Sequence, residues 1–222
     1  MNQDFWLERW HKMEIGFHLP EVNAVLLKYA ERFPEPDGQH ILVPLCGKTV
    51  DIIWLLERGY RVTGIELSDN ALKELAEQIE TVFGWTLDYT ASDAGACWKH
   101  ERVTLIQGDF FAVTPEQLGP VALVYDRAAL VVLPAPMRGD YVQHLKSLSP
   151  LADQFLVTLD YDQQRMDGPP FALSDDEVQQ HYAGTHSLEA MEERQLIENE
   201  PRFRARGLES FIQRCYWLKP LS

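Results

Sequence analysis

Two segments of the sequence place chemically useful residues at the ends of hydrophobic runs. Pro-Leu-Cys-Gly-Lys at 44–48 closes an apolar run at 40–45, and Glu66 lies at the end of the next such run. A glycine turn lets backbone approach a ligand closely, and a carboxylate at the next strand tip can accept hydrogen bonds from two ribose hydroxyls. This spacing predicts that Leu45, Gly47 and Glu66 bind a nucleoside-like ligand.

The composition of the segment at 44–48 indicates which kind of nucleoside-like ligand it could bind. It has one glycine, whereas loops that bind a dinucleotide carry G-x-G-x-x-G. A pyrophosphate needs several close backbone N–H groups, which this loop is poorly built to offer. A ligand with ribose and adenine but no phosphate fits better, and S-adenosylmethionine is such a ligand. Cys46 has no nearby histidine motif to activate it, so a nucleophilic role is disfavoured.

Two further strand ends carry candidate site residues. Asp109 could accept from an adenine amino group and Phe110 could cover the ring, while Phe111 is expected in the core; a turn with core phenylalanines is the alternative. Asp126 and Arg127 end a later run. Arg127 would orient an anionic acceptor there, or else form a structural ion pair with Asp126.

Aromatic side chains form two further candidate features. Trp6, Trp10 and Phe17 lie near the start of the chain, and Trp6 and Trp10 share a helical face. They would either pack on the domain or form a lid over the sulfonium cation of the cofactor. The Asp-Gly-Pro-Pro-Phe segment at 167–171 would wall a pocket or simply turn the chain. The sequence leaves both pairs of alternatives open.

The elements that must position these residues alternate between strand and helix. Five strands are predicted in the parallel part of the sheet, at 40–45, 61–67, 103–111, 121–126 and 153–162. Two more, at 186–196 and 209–218, would pair antiparallel at one edge. Helices are predicted at 5–13, 21–33, 49–59, 69–83, 137–148 and 174–184, with Ser68 and Ser174 as N-caps. This order is typical of a doubly wound α/β domain with a mostly parallel seven-stranded sheet.

Bulk composition limits the classes of partner. The chain has 222 residues and a formal net charge of −14, which disfavours nucleic acid and anionic membrane surfaces. It has no long apolar run, no signal-peptide pattern and no metal-binding motif, and its three cysteines are widely spaced. We expect a single-domain, monomeric, cytoplasmic protein with no membrane association and a small-molecule ligand.

Taken together, the motifs resemble the thiopurine S-methyltransferase family, in its bacterial branch. The resemblance rests on F-W-x-x-x-W from Phe5, PLCGK at 44–48, G-x-E at 64–66, DRAAL at 126–130 and DGPPF at 167–171. It extends over nearly the whole chain, including the last strand before Tyr216. The separation of PLCGK from DRAAL is the specific part of the match.

The resemblance implies a class I, Rossmann-like methyltransferase fold in one domain, with an N-terminal helical lid at 1–35 and a core at 36–222. It implies S-adenosylmethionine as cofactor and a small thiol, such as a thiopurine, as acceptor, with selenium or tellurium compounds and metalloid resistance as associated roles. By position, the expected cofactor contacts are Trp10, Leu45, Gly47, Glu66, Asp109, Phe110 and Arg127. The expected acceptor contacts are Phe17, Arg127 and Arg202, and the two arginines are the candidate catalytic residues because they would favour a thiolate.

Three other classes of function remain as alternatives. The first is a nicotinamide-dependent oxidoreductase, which the missing glycines disfavour. The second is a protein that holds S-adenosylmethionine, or a selenium or tellurium species, without turnover. The third is a methyltransferase acting on nucleic acid or protein, which the acidity and the lid segment disfavour. The physiological acceptor and the order of the lid without ligand stay open at this level.

Overall fold

The structure is a computed structural model that describes residues 6, 8, 10, 18–92 and 95–221. These residues form two compact units, Met1–Leu123 and Val124–Ser222. The strands are β1 (His40–Pro44), β2 (Arg61–Glu66), β3 (Asp88–Ser92), β4 (Gly95–His100), β5 (Val103–Gln107), β6 (Leu123–Arg127), β7 (Asp153–Asp160), β8 (His186–Gln195) and β9 (Ile212–Pro220). The α-helices are α1 (Ala24–Lys28), α2 (Asp51–Glu57), α3 (Asp69–Phe83), α4 (Pro115–Leu118), α5 (Ala135–Leu148), α6 (Asp175–Tyr182) and α7 (Pro201–Arg204).

The first unit places its strands in the order β3-β4-β5-β2-β1. The central strands β1, β2 and β5 are parallel, so their carboxyl ends meet at one edge. Every residue of β1 is buried, as expected of a parallel strand covered on both faces. The parallel arrangement predicted for the first three strands in this unit is therefore confirmed, and it aligns the tips that follow Pro44, Glu66 and Gln107.

Helix α3 shows how local signals set an element's limits. The Ser68 hydroxyl accepts from the Ala71 N–H at the N-terminus, and Gly84 ends the helix in the left-handed conformation with φ 67°. A buried stripe that includes Leu72, Leu75 and Ile79 faces the core. The helix runs over Asp69–Phe83, which confirms the sequence prediction at both ends.

The antiparallel hairpin of β3 and β4 was not predicted, and it raises the strands of the described chain from the expected seven to nine. All five residues of β3 are exposed, so the strand lacks an apolar alternation to reveal it. At the start of β4, a side chain on Gly95 would collide with the Gln107 carbonyl of β5. The hairpin is anchored by Trp85, which stacks between Phe83 and His100 at ring separations of 4.4 and 4.2 Å.

Other predicted limits also change. The third strand stops at Gln107 rather than at 111, and residues Phe110–Ala112 form a 3-10 turn. The predicted helix at 21–33 divides into α1 and a 3-10 turn at Ala30–Arg32. Most of the helix predicted at 5–13 lies outside the described residues. The three residues of this range that the structure describes, Trp6, Glu8 and Trp10, are helical.

The second unit orders its strands β6-β7-β9-β8. Strand β9 is antiparallel to β8, as predicted, and it is also antiparallel to β7, where Asp160 at the end of β7 lies opposite Ile212 at the start of β9. Strand β8 lies at the end of this order, and its register shifts between Ala190 and Glu192. Among the described residues, none of the helices combines the length and apolar character that a bilayer crossing requires.

Candidate active site

The loop at 45–48, here called the glycine loop, is fixed by unusual backbone angles. Leu45 and Gly47 adopt φ of 46° and 54°, in the left-handed region. A Cβ on Gly47 would lie only 3.0 Å from Cζ2 of Trp10, whose indole is buried. Glycine is therefore required at position 47 both by the angle and by the ring packed against it.

Glu66 holds this loop from the tip of β2. Its Oε2 accepts from the Gly47 N–H at 2.8 Å, and its Oε1 accepts from the Ser68 N–H at 2.9 Å. Burial raises the pKa of the Glu66 carboxyl, and the hydrogen bonds from Ser68, Gly47 and Leu67 oppose that rise. A carboxylate has about four lone-pair positions, so lone pairs remain beside these bonds for hydroxyl donors of a ligand.

Two backbone donors of the loop, and that of Thr49 just after it, are already used within the protein. The N–H of Cys46 donates to the Ile65 carbonyl at 3.0 Å, and that of Thr49 donates to the Cys46 carbonyl at 3.2 Å. Together with the Gly47 bond to Glu66, these contacts leave a poor cradle for pyrophosphate oxygens. The donor set fits a ribose that gives its hydroxyl protons to a carboxylate, so the residues present suit S-adenosylmethionine better than a dinucleotide.

Cys46 serves as packing in this loop. Burial, and then the neighbouring Glu66 charge, raise the pKa of its thiol well above the usual value, so the nucleophilic thiolate is disfavoured at neutral pH. Its Sγ would lie 2.8 Å from a Cβ added to Gly64. The glycine of the G-x-E motif is thus needed to accommodate the cysteine of the glycine loop.

Two polar contacts of residues in or near the glycine loop were not predicted from the sequence. The buried Lys48 ammonium pairs with the Glu74 carboxylate of α3. The carboxylate of Asp51, at the start of α2, accepts from the Asn23 N–H at 2.8 Å. The partners are 26 and 28 residues apart in the chain, so no local pattern could reveal them.

The end of β5 lies beside the end of β2. Glu66 pairs in register with Gln107, and the Gly108 N–H donates to the Glu66 carbonyl at 2.9 Å. Asp109 follows and accepts from the Phe111 N–H at 3.0 Å, which starts the 3-10 turn. Phe110 is buried, whereas Phe111 is 37% exposed, so the expectation that Phe111 belongs to the core is wrong.

In the second unit, β6 ends in a buried carboxylate followed by a half-buried Arg127. Asp126 is fully buried and accepts from the Leu130 N–H at 3.1 Å and from the Tyr141 hydroxyl at 2.7 Å. Burial raises the pKa of Asp126 to about 6, against the hydrogen bonds that favour its charge. These bonds fix the turn after Arg127, in which Ala128 has φ 59°.

The Asp126 carboxylate belongs to a buried polar network that sequence reasoning missed. The Gln154 amide of β7 donates to Asp126 at 3.5 Å and to the Tyr182 hydroxyl of α6 at 3.0 Å. Burial is also the main cause that raises the pKa of Tyr141 and of Tyr182, so both keep their protons. Three elements of the second unit therefore converge on the residue that precedes Arg127.

The other two residues predicted to contact the acceptor are Arg202 and Phe17. Arg202 lies in α7 with its side chain 57% exposed, and its Nε is 3.1 Å from Oε2 of Glu200. Phe17 lies outside the described residues.

Among the described residues, no group of three histidine, cysteine or acidic side chains is placed to hold a metal ion. The structure thus brings Trp10, Gly47 and Glu66 together, while the contacts of the site residues with ligands stay predictions.

Comparison with known proteins gives an independent measure of the resemblance. The family model described as Thiopurine S-methyltransferase matches residues 1–220. A protein of Pseudomonas fluorescens named Thiopurine S-methyltransferase is 39% identical over 221 residues, covering 98% of this chain and 97% of the relative. One from Bordetella petrii with the same name is 40% identical over 220 residues, covering 99% of each.

A solved structure gives the same fold at low sequence similarity. The magnesium protoporphyrin IX methyltransferase of Synechocystis, solved with bound S-adenosylmethionine, superposes with a TM-score of 0.65 and 12% identity. The match covers 97% of this chain and 96% of that one. The predicted class I methyltransferase fold is confirmed, with the strand count corrected as described above.

Proposed function

The chain belongs to the thiopurine S-methyltransferase family, and from that premise we propose that it methylates the sulfur of small aromatic or heterocyclic thiols. It is an S-adenosylmethionine-dependent methyltransferase, and the acceptor is the part that we infer. The relatives named Thiopurine S-methyltransferase carry the inference about the acceptor. The buried Glu66 carboxylate, held against Gly47 with lone pairs left for a ribose, supports the cofactor site. The bound cofactor would supply an electrophilic methyl group for direct, in-line transfer to the acceptor.

The residues of the first unit would bind and orient the cofactor. Glu66 would accept the two ribose hydroxyls, and Asp109 and Phe110 would contact the adenine. Leu45, Gly47 and Trp10 would border the ligand, and the indole would exclude water from the glycine loop. Correct alignment of the reacting groups can supply several kcal/mol of a barrier, so these positioning contacts are the main catalytic contribution expected of this unit.

The arginines of the second unit would act on the acceptor. A heteroaromatic thiol ionises readily near neutral pH, so a strong general base is not required. Arg127 and Arg202 would favour the thiolate electrostatically, and Phe17 would border the acceptor ring. The Asp126 network would hold the turn that carries Arg127. Selenium and tellurium compounds are included in the proposal because they are soft nucleophiles of the same group.

The test is one assay with S-adenosylmethionine and 6-mercaptopurine that follows formation of S-adenosylhomocysteine. Thiol-dependent product would establish the reaction and the acceptor class together. Cofactor binding without product would reject thiopurines and move the search to selenium and tellurium acceptors. Absence of cofactor binding by calorimetry would overturn the assignment of Leu45, Gly47 and Glu66. We place the protein in the cytoplasm, as a monomer without nucleic-acid or membrane partners, and sedimentation of the purified chain tests the monomer.

A further inference from the structure

Two connecting segments of the second unit lie at the same end of strand β7. Residues 161–173 follow the carboxyl end of β7, and residues 196–211 lead into β9. Because Asp160 is opposite Ile212 in the register, both segments emerge at the carboxyl end of β7. That end of a strand is where α/β domains bind their ligands. We call these two segments together the carboxyl-edge cap.

The carboxyl-edge cap has its own small hydrophobic core. Phe203 and Phe211 have ring centroids 4.4 Å apart, and Tyr161 and Phe211 are 5.7 Å apart. The buried members from both segments are Tyr161, Met166, Ile197, Phe203, Leu208 and Phe211. Since the two segments share one cluster, movement of either would disturb the other.

The side-chain amide of Gln163 holds the first of these two segments together through hydrogen bonds. Its Nε2 donates to the Met166 carbonyl at 2.5 Å and to the Tyr161 hydroxyl at 3.2 Å, while its Oε1 accepts from the Ala172 N–H at 2.8 Å. The Tyr161 hydroxyl in turn donates to the Pro170 carbonyl at 2.5 Å. One exposed glutamine therefore joins both ends of the loop at 166–172 and contacts the tyrosine that holds its middle.

The loop that Gln163 closes is tightly folded and tied to the Arg127 region. Gly168 has φ 78°, and a Cβ there would lie 2.5 Å from the ring of Phe171. The Phe171 N–H donates to the Val131 carbonyl at 2.6 Å, in the 3-10 turn that follows Arg127. The position of the loop is thereby linked through backbone to the segment that carries the candidate acceptor arginine.

We propose that Gln163 is a positioning residue for the methyl acceptor, which acts by holding the loop at 166–172 closed as a wall of the acceptor site. The proposal rests on the thiol methyltransferase function proposed above. The role requires a side chain that donates and accepts at once, because its partners are a carbonyl, a hydroxyl and an N–H. Glutamate keeps only the acceptor, and leucine keeps neither function at similar volume.

The first experiment measures acceptor and cofactor parameters for Gln163→Leu and Gln163→Glu. We expect the acceptor KM to rise about tenfold in Gln163→Leu, the scale set by lost hydrogen bonds, with an intermediate rise in Gln163→Glu. The cofactor Kd should stay unchanged. Gln164→Leu is the matched control, since Gln164 is an exposed neighbour in the same 3-10 turn, and it should leave both parameters unchanged.

Amide hydrogen exchange tests the same idea without turnover. The Ala172 and Phe171 N–H groups should exchange faster in Gln163→Leu than in the native chain, while β7 keeps its protection. An unchanged acceptor KM, unchanged loop exchange, or equal changes in acceptor KM and cofactor Kd would each overturn the proposal. If the native chain failed to methylate thiols, the proposed function would fall, and the exchange comparison would still decide whether Gln163 holds the loop.

Discussion

In the first unit a buried carboxylate holds the glycine loop, whereas in the second unit an exposed amide holds the loop at 166–172. Glu66 uses a charge inside the protein, and burial raises the pKa of its carboxyl. Gln163 is neutral and lies at the surface. Removing a buried charged partner leaves donors unsatisfied in the interior, while the groups that lose an exposed amide stay within reach of water. Substitutions on the cofactor side should therefore cost more than substitutions on the acceptor side.

The largest effect should come from Glu66→Gln. An amide cannot accept from both Gly47 and Ser68 and still receive two ribose hydroxyls. We expect cofactor binding to weaken by about 1.5–3 kcal/mol, the worth of hydrogen bonds to a charged group. That corresponds to a rise in Kd of roughly 10- to 150-fold, measurable by calorimetry. Glu77→Gln, which removes the same charge from an exposed position of α3, is the control. An unchanged cofactor Kd in Glu66→Gln would show that the cofactor side is no more sensitive to substitution than the acceptor side.

The next effect concerns packing behind the glycine loop. In Gly64→Ala the new methyl group would meet Cys46 Sγ at 2.8 Å and Ile52 Cδ1 at 3.1 Å. We expect a loss of about 1–3 kcal/mol in the free energy of unfolding, as for other overpacked cores. The same change in a Cys46→Ala background should be less damaging because the sulfur is gone. Urea denaturation of the four chains measures this coupling, and additive losses would show that the cysteine is not the obstacle.

The third prediction concerns how stability depends on pH, to which the buried carboxylates of both units contribute. The pKa of Asp126 is raised from its ordinary 3.8 to about 6, so the folded chain binds the proton more tightly than the unfolded chain. Its contribution to stability is therefore present at low pH and is lost as pH rises from about 4 to about 6, by about 3 kcal/mol in all. The pKa of Glu66 is raised as well, so both units respond in the same direction.

Asp126→Asn isolates the part of this pH dependence that belongs to the second unit. Between pH 5 and pH 7.5 the variant should gain about 1 kcal/mol relative to the native chain, because asparagine does not titrate in this range. Urea unfolding at several pH values gives the difference. Two stability profiles that run parallel across this range would mean that Asp126 is ionised throughout, and the second unit would then lack a titrating core.

The smallest effect should come from Arg202→Ala. Its exposed ion pair with Glu200 contributes at most about 0.5 kcal/mol to stability. If Arg202 favours a thiolate, kcat/KM for anionic acceptors should fall roughly threefold, the scale of one exposed ion pair. Arg204→Ala is the matched control, since Arg204 lies in the same short helix with a similar pair to Glu198. Equal kinetic losses in both variants would place the effect on α7 as a whole.

The elements that the sequence predicted are those whose signals are local. Helix α3 follows from a serine cap, an apolar stripe and a terminal glycine within 17 residues of chain, 68–84. Strand β1 follows from a nearly continuous apolar run and β2 from a short run that contains valine and isoleucine, and Glu66 was visible because it ends the second. Each residue selected in this way lies at the end of its own local run, and the structure places Gly47 and Glu66, 19 residues apart in the chain, in contact.

The features that escaped prediction depend on partners that are distant in the chain, or they lie on exposed segments rich in polar residues. Asp126 meets Tyr141 and Gln154 from positions 15 and 28 residues away, so its network exists only in the folded chain. The hairpin of β3 and β4 has one wholly exposed strand, which carries no apolar period. Gln163 resembles any other surface glutamine in the sequence, and only the folded loop shows its three bonds.

The edge of the second unit has a consequence for how the protein behaves in bulk solution. Strand β8, at the end of its strand order, carries Glu189, Glu192 and Glu193 together with a register shift. Charges and bulges of this kind discourage strands of separate molecules from joining edge to edge. As the solution approaches the isoelectric point near 4.9, protonation removes much of that repulsion. Concentrated preparations should therefore stay clear at neutral pH and become turbid on acidification.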